Sequence, residues 1–142
     1  MNDNVKNRHL RHLKRLAKLA EDVAPVGSAR LAASIVLRNT EISYGTCLYK
    51  TDPFQAKYGS NASCIFIHAE IAAIKNALKR LSLEDLKRST LYIARVKKPL
   101  ANSDSFIWGH AKPCAGCSSA ISAFEINKVV FTCDGDGNFK EF

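Results

Sequence analysis

Apolar side chains recur at the three- and four-residue spacing of a single helix face at Leu10, Leu13, Leu16, Ala17, Ala20, Val23 and Ala24, which predicts an amphipathic helix over residues 5–24. The opposite face carries Lys6, Arg8, Arg11, Lys14, Arg15 and Lys18, and Pro25 and Gly27 close the helix. The period then changes. Residues 31–37 form a short continuous apolar run typical of a buried strand, Asn39-Thr40 reads as a turn, and 42–49 is rich in β-formers, so a hairpin is predicted. Residues 51–63 (TDPFQAKYGSNAS) have no usable period and read as a loop. Helical spacing returns over 67–81, through Ile67, Ile71, Ile74, Ala77, Leu78 and Leu81. A second buried strand is expected over 90–96, a second long loop over 97–112, a helix over 114–124 and a strand over 128–132. Asp134-Gly135-Asp136-Gly137 marks a tight turn, leaving 138–142 for a short closing strand. The order α-β-β-α-β-α-β, with a final β, predicts an α/β domain with helices on the faces of a mixed sheet and right-handed crossovers. No repeat, low-complexity segment or linker divides it, so residues 1–142 are read as one domain: the basic helix, then a core over 28–142.

Composition narrows the class without deciding it. Hydrophobic residues make up 46% and charged residues 24%, too apolar for a disordered chain. No apolar run approaches the roughly 18–20 residues that span a bilayer, so no membrane role is expected. The basic N-terminus lacks the apolar core and cleavage site of a secretory signal. Five cysteines, an odd number, then point to a reducing, cytoplasmic setting in which thiols bind metal or pack rather than cross-link. A net charge of +8 favours phosphate-bearing partners, whether nucleotide or polynucleotide. The basic stripe itself reads as the solvated face of a covering helix, ahead of a dedicated nucleic-acid or membrane surface.

Two segments change the picture. His68-Ala69-Glu70 opens the predicted central helix, and Pro113-Cys114-Ala115-Gly116-Cys117 opens the next. Starts of successive helices in such an arrangement lie at the carboxyl edge of the strands, where ligands collect. One imidazole and two thiolates are ligands that suit zinc, and three protein donors leave a tetrahedral position open. Helix N-termini help keep cysteines ionised, and Pro113 stands where a missing N–H costs nothing. Glu70, two residues from His68, is a carboxylate beyond the ligand count. A structural site has no use for it, whereas a hydrolytic site needs a group that takes a proton from water and passes it on.

His68-Ala69-Glu70 with Pro113-Cys114-Ala115-Gly116-Cys117 resembles the H-x-E…P-C-x-x-C signature of the zinc-dependent cytidine deaminase-like superfamily. The element order matches from about Leu10 to Thr132. The resemblance implies a three-layer α/β/α fold with a mixed five-stranded sheet and a short C-terminal antiparallel hairpin strand. It implies Zn²⁺ held by His68, Cys114 and Cys117, a zinc-bound hydroxide as nucleophile, and Glu70 as proton shuttle. The expected reaction is deamination of cytidine, deoxycytidine, CMP or dCMP, with single-stranded DNA or tRNA as the alternative substrate. A dimer or tetramer is also implied. Many members place an Asn after the second strand to contact the sugar, where this chain has Cys47, read here as a buried apolar residue. Asn61 and Asn39 are the remaining candidates for that contact. Phe54, Tyr58, Phe106 and Trp108 lie in the two predicted loops, placed either to stack on a base or to anchor the loops. Lys50, Lys57 and Lys112 could meet a phosphate, and His110 could replace a ligand. Candidate substrate contacts are therefore Asn61, Phe54, Trp108 and Ala69. The short hairpin ending resembles free-nucleoside deaminases, while His as first ligand resembles the nucleotide and polynucleotide groups.

Overall fold

A computed structural model describes residues 1–23, 30–48, 52–58, 68–100 and 103–141, and for Phe54 and Tyr58 the backbone alone. Helix α1 (Asp3–Glu21) starts where the Asn2 side chain accepts from Val5 N at 2.9 Å. It buries Leu13, Leu16, Ala17 and Ala20 as the periodicity requires, and exposes Arg8, Arg11, Lys14, Arg15 and Lys18. His9 and His12, read from sequence only as members of the basic stripe, face inward. Tyr92 Oη lies 2.7 Å from His9 Nδ1, and the His12 and Tyr92 ring centroids are 4.8 Å apart.

Strands β1 (Arg30–Leu37) and β2 (Thr40–Thr46) form the expected hairpin. Its tip is Arg38-Asn39, both at positive φ (52° and 63°), as a two-residue turn matching strand twist requires. The segment predicted as a loop over 51–63 contains a short helix, α2 (Pro53–Tyr58), with Pro at its first position, where the ring is preorganised. Six residues give too little periodicity to announce a helix. Helix α3 (Ala69–Ala77) occupies the span of the helix predicted over 67–81, and the one-turn α4 (Leu83–Lys87), whose Ser82 and Asp85 form a reciprocal capping box, follows where no element was predicted. Strand β3 (Thr90–Lys97), helix α5 (Ala115–Ala123) and strands β5 (Lys128–Thr132) and β6 (Phe139–Glu141) follow. A three-residue strand, β4 (Ile107–Gly109), interrupts the second predicted loop.

The sheet runs β2-β1-β3-β5-β6, the expected five-strand path, with β4 as a sixth strand paired to β3. Among the described strands only β3 and β5 pair in parallel, across the α5 crossover, and β6 returns antiparallel through a turn with Gly135 and Gly137 at positive φ. Strand alternation divides the core in two. Ala33, Ile35, Leu91, Ile93, Val129 and Phe131 pack with α3 and α5, while Ala32, Val36, Tyr92, Ala94, Val96 and Val130 pack with α1. The sheet is thus sandwiched between helices, and α3 is seated closely on β2. A Cβ added at Gly45 would lie 2.5 Å from Ala72 Cβ and 2.6 Å from Ala73 N, so glycine there sets the approach of helix to strand.

Strands β4 and β5 lie end to end along one edge of β3, because β5 pairs with Thr90–Ile93 and β4 with Arg95–Lys97. Thr132 joins them. Its Oγ1 accepts from Arg95 N at 3.0 Å and donates to Gly109 O at 2.7 Å, and its carbonyl accepts from Ala111 N at 2.9 Å.

Candidate active site

His68 is the N-cap of α3, with extended backbone (φ −87°, ψ 156°) and no side-chain cap bond. Its carbonyl accepts from Ala72 N, and its N–H donates to Gln55 Oε1 at 3.0 Å. Gln55 is fully buried on α2, so a short helix between β2 and α3 fixes the backbone from which the imidazole projects. A 2.7 Å ion pair between Lys75 of α3 and Asp52, just ahead of α2, ties the two helices together. Cys114 is the N-cap of α5, its Sγ accepting from Cys117 N at 3.5 Å, so both sulfurs are carried by the first turn of one helix.

These elements bring the three predicted ligands together. His68 Nδ1 lies 3.3 Å from Cys117 Sγ and 3.6 Å from Cys114 Sγ, and the three donor atoms all lie within 4.8 Å of one another. The Cys117 thiol, and after it the His68 ring, hold the Cys114 thiol down to about 3. Contact with Cys114, followed by burial, pushes the Cys117 thiol well up. Without a cation the two sulfurs therefore act as a thiolate–thiol pair sharing one proton. A divalent ion would stabilise both as thiolates, and a nitrogen with two soft sulfurs at this spacing is, among the described residues, a three-donor set that suits zinc.

Glu70 lies in the first turn of α3, buried, and its Oε1 has no hydrogen-bond partner among the described residues. Burial raises its pKa above the ordinary carboxylate value, partly opposed by a backbone hydrogen bond and the His68 charge. An orphaned carboxylate oxygen beside three ligand atoms is costly for folding alone and suits an atom that exchanges protons with a ligand. A cleft of about 220 Å³ opens here, lined by His68, Glu70 and Cys114 together with Arg95, His110 and Lys112. A larger groove of about 600 Å³ beside β2 and α3 holds none of the three ligands and not Glu70.

The sequence model of the cytidine and deoxycytidylate deaminase zinc-binding region matches residues 6–133. The chain belongs to that family. No curated protein matches it. Solved structures with the deaminase fold include the apo dCMP deaminase of cyanophage S-TIM5, at 19% identity and a TM-score of 0.57, covering 96% of this chain and 89% of that one. The same phage enzyme in complex with dCMP and dUMP aligns at 16% identity and 0.56, covering 94% and 84%. The cytidine deaminase of Burkholderia pseudomallei aligns at 18% identity and 0.58, covering 93% and 90%. At these identities the deaminase likeness is one of fold.

Set in this deaminase fold, the other candidates separate. Ala69 is fully buried in the core on the α3 side of the sheet and does not line the cleft. Trp108 is not at the site. It is buried in the core under α1, on the other face of the sheet from α3 and α5, because its β4 register opposite Val96 turns it that way. Phe106 packs on that same face, beneath the guanidinium of Arg30 at 5.2 Å. Asn39 caps the hairpin at the far end of β1, accepting from Arg11 at 2.7 Å and lying 3.0 Å from His12 Nε2, so it is no sugar contact. Cys47 is buried, as expected. His110 lies edge-on to Phe131 and outside the ligand group. Lys57 is exposed on α2. Asn61, Lys50 and the side chains of Phe54 and Tyr58 fall outside the described residues. Gln55 and Arg95 had no sequence signal. One lies in a stretch read as loop, the other in a strand read only for its apolar run.

Proposed function

We propose that this family member hydrolytically deaminates a cytosine-containing nucleoside or nucleotide, giving the uracil product and ammonia. His68, Cys114 and Cys117 hold Zn²⁺, and Glu70 moves the protons. The observation that carries the reading is Glu70: a buried carboxyl group with an unpartnered oxygen in the same small cleft as His68 and Cys114. Zinc, when bound, acidifies water at neutral pH. Glu70 would take a proton from that water at Oε1 and deliver it to the ring nitrogen beside the carbon that gains oxygen, then take a second proton from the new hydroxyl on that carbon and give it to the departing amino group. Burial keeps its pKa up, which suits a group that must both accept and give a proton near neutrality.

A small pyrimidine substrate is favoured over a polynucleotide by the position of the charge. The basic face of α1 lies on the opposite side of the sheet from α3 and α5, where it cannot track a strand into the cleft. The neighbouring structures, one a dCMP deaminase with dCMP and dUMP and one a cytidine deaminase, support the same class.

The test is ammonia release by the zinc-loaded protein from cytidine, deoxycytidine, CMP and dCMP. Glu70→Gln should keep zinc and fold while kcat falls about 10²- to 10⁴-fold. Loss of metal in that variant, or normal turnover, would show that Glu70 has another role. Inertness of the wild type on all four, with steeply salt-dependent binding of single strands, would shift the assignment to polynucleotides.

A further inference from the structure

We propose that Arg95 is a specificity-determining residue, reserved for a phosphate group on the substrate, so that this site takes a pyrimidine nucleotide in preference to the free nucleoside. The inference rests on the deaminase reading of the cleft and narrows its substrate class.

Strand alternation places Arg95 on the same face of β3 as Leu91 and Ile93, the face covered by α3 and α5. It is the residue of β3 that reaches the cleft holding His68, Glu70 and Cys114. Its mounting is rigid. The backbone N–H is held by Thr132 at the junction of three strands, and the side-chain stem lies flat over Gly109. A Cβ at that position would meet Arg95 Cδ at 3.2 Å and Cγ at 3.3 Å. A side chain whose stem is already packed against a neighbouring strand loses less further freedom when it binds.

What this guanidinium lacks is a partner. Its Nε is buried and makes no hydrogen bond, and among the described residues it forms no ion pair. The contrast with Arg15 and Arg88 is sharp, since both close onto carboxylates, at 3.0 and 2.7 Å. Leaving a part-buried guanidinium donor unsatisfied costs stability, and folding alone gives no return for it. Lys112, exposed at the rim of the cleft, adds a second cation. A planar fork of donors beside a second positive charge matches phosphate oxygens, where two parallel charge-assisted bonds can form. A sugar hydroxyl or a base carbonyl would use one donor and neutralise no charge.

The experiment compares zinc-loaded wild type, Arg95→Met and Arg95→Lys on dCMP, deoxycytidine and a short cytosine-containing oligonucleotide. Calorimetry with dUMP and with deoxyuridine gives a readout free of turnover. Wild type should favour dCMP. Arg95→Met should lower kcat/KM for dCMP, and affinity for dUMP, about 10- to 100-fold, mainly through KM, and change the nucleoside values less than about threefold. Arg95→Lys keeps the charge without the fork and should lose part of that preference, which decides the matter if the Met variant does not fold. Equal losses on nucleotide and nucleoside, or none on either, would overturn the assignment. A preference for the oligonucleotide would assign Arg95 to a phosphodiester and overturn the monophosphate. If no substrate is deaminated yet dUMP binding still depends on Arg95, the reaction assignment fails and the phosphate assignment stands.

Discussion

At Glu70 burial and ionisation are opposed, and the sign of the consequence can be worked out. In the unfolded chain the carboxyl titrates near 4.5, and in the fold desolvation raises it. The protonated form is therefore favoured by folding. Its contribution to stability is complete below the unfolded value and is lost as pH rises through the folded one. In protein stripped of metal by a chelator, thermal melts of wild type should fall relative to Glu70→Gln as pH is raised from about 4.5 towards 8. Parallel curves would show that Glu70 is solvated in the metal-free fold. The identity of Glu70, and its place two residues after His68, could be read from the chain. That one of its oxygens, Oε1, lacks a hydrogen-bond partner among the described residues could not, since that depends on what α5 and the sheet place around it. The same limit applies to His9 and His12. On paper they sit among arginines and lysines, and in the fold they line the inner face of α1 against Tyr92, whose hydroxyl burial pushes up to about 12.

Elements whose hydrophobic period runs for several turns or a full strand were predictable: α1, the β1–β2 hairpin, β3, α5 and β5. Among the shorter elements β6 was announced by the turn before it, but α2 and β4 were not. Helix α2 has six residues and β4 three, and each exists because of tertiary partners, α2 through Gln55 and the Asp52–Lys75 pair, β4 through β3 and Thr132. The position of α3 depends on a single missing side chain. Gly45→Ala would drive a methyl group into Ala72 Cβ and the backbone of Ala73 and Ala69, none of which is a flexible chain end that could swing aside. The helix must shift, and its first turn carries His68 and Glu70. Urea unfolding should show a loss of about 1–3 kcal/mol, accompanied by weaker zinc binding in a chelator competition. Unchanged zinc affinity would mean that the helix start is held by Gln55 independently of β2.

Over the whole molecule, the sheet brings two helix N-termini to one edge and so places donors 46 residues apart, His68 and Cys114, within 3.6 Å. A metal held there links α3 to α5 and stabilises only the folded chain. Chelation should lower the melting temperature by roughly 10 °C at zinc concentrations far above the dissociation constant, and zinc should restore it. A melt indifferent to the metal would mean that α3 and α5 are fixed by the core alone. The sequence by itself determined the residues on which the proposed ligands and proton carrier rest, and the order of the longer strands and helices, because those follow from residue identity and local period. Only the tertiary structure decided which side chains share the cleft. It removed Trp108 to the far face through its register opposite Val96, and brought in Arg95 through the alternation of β3 and the packing of its stem on Gly109. Membership of a site is a matter of face and register, and these are fixed when strands pair, between residues that the chain keeps far apart.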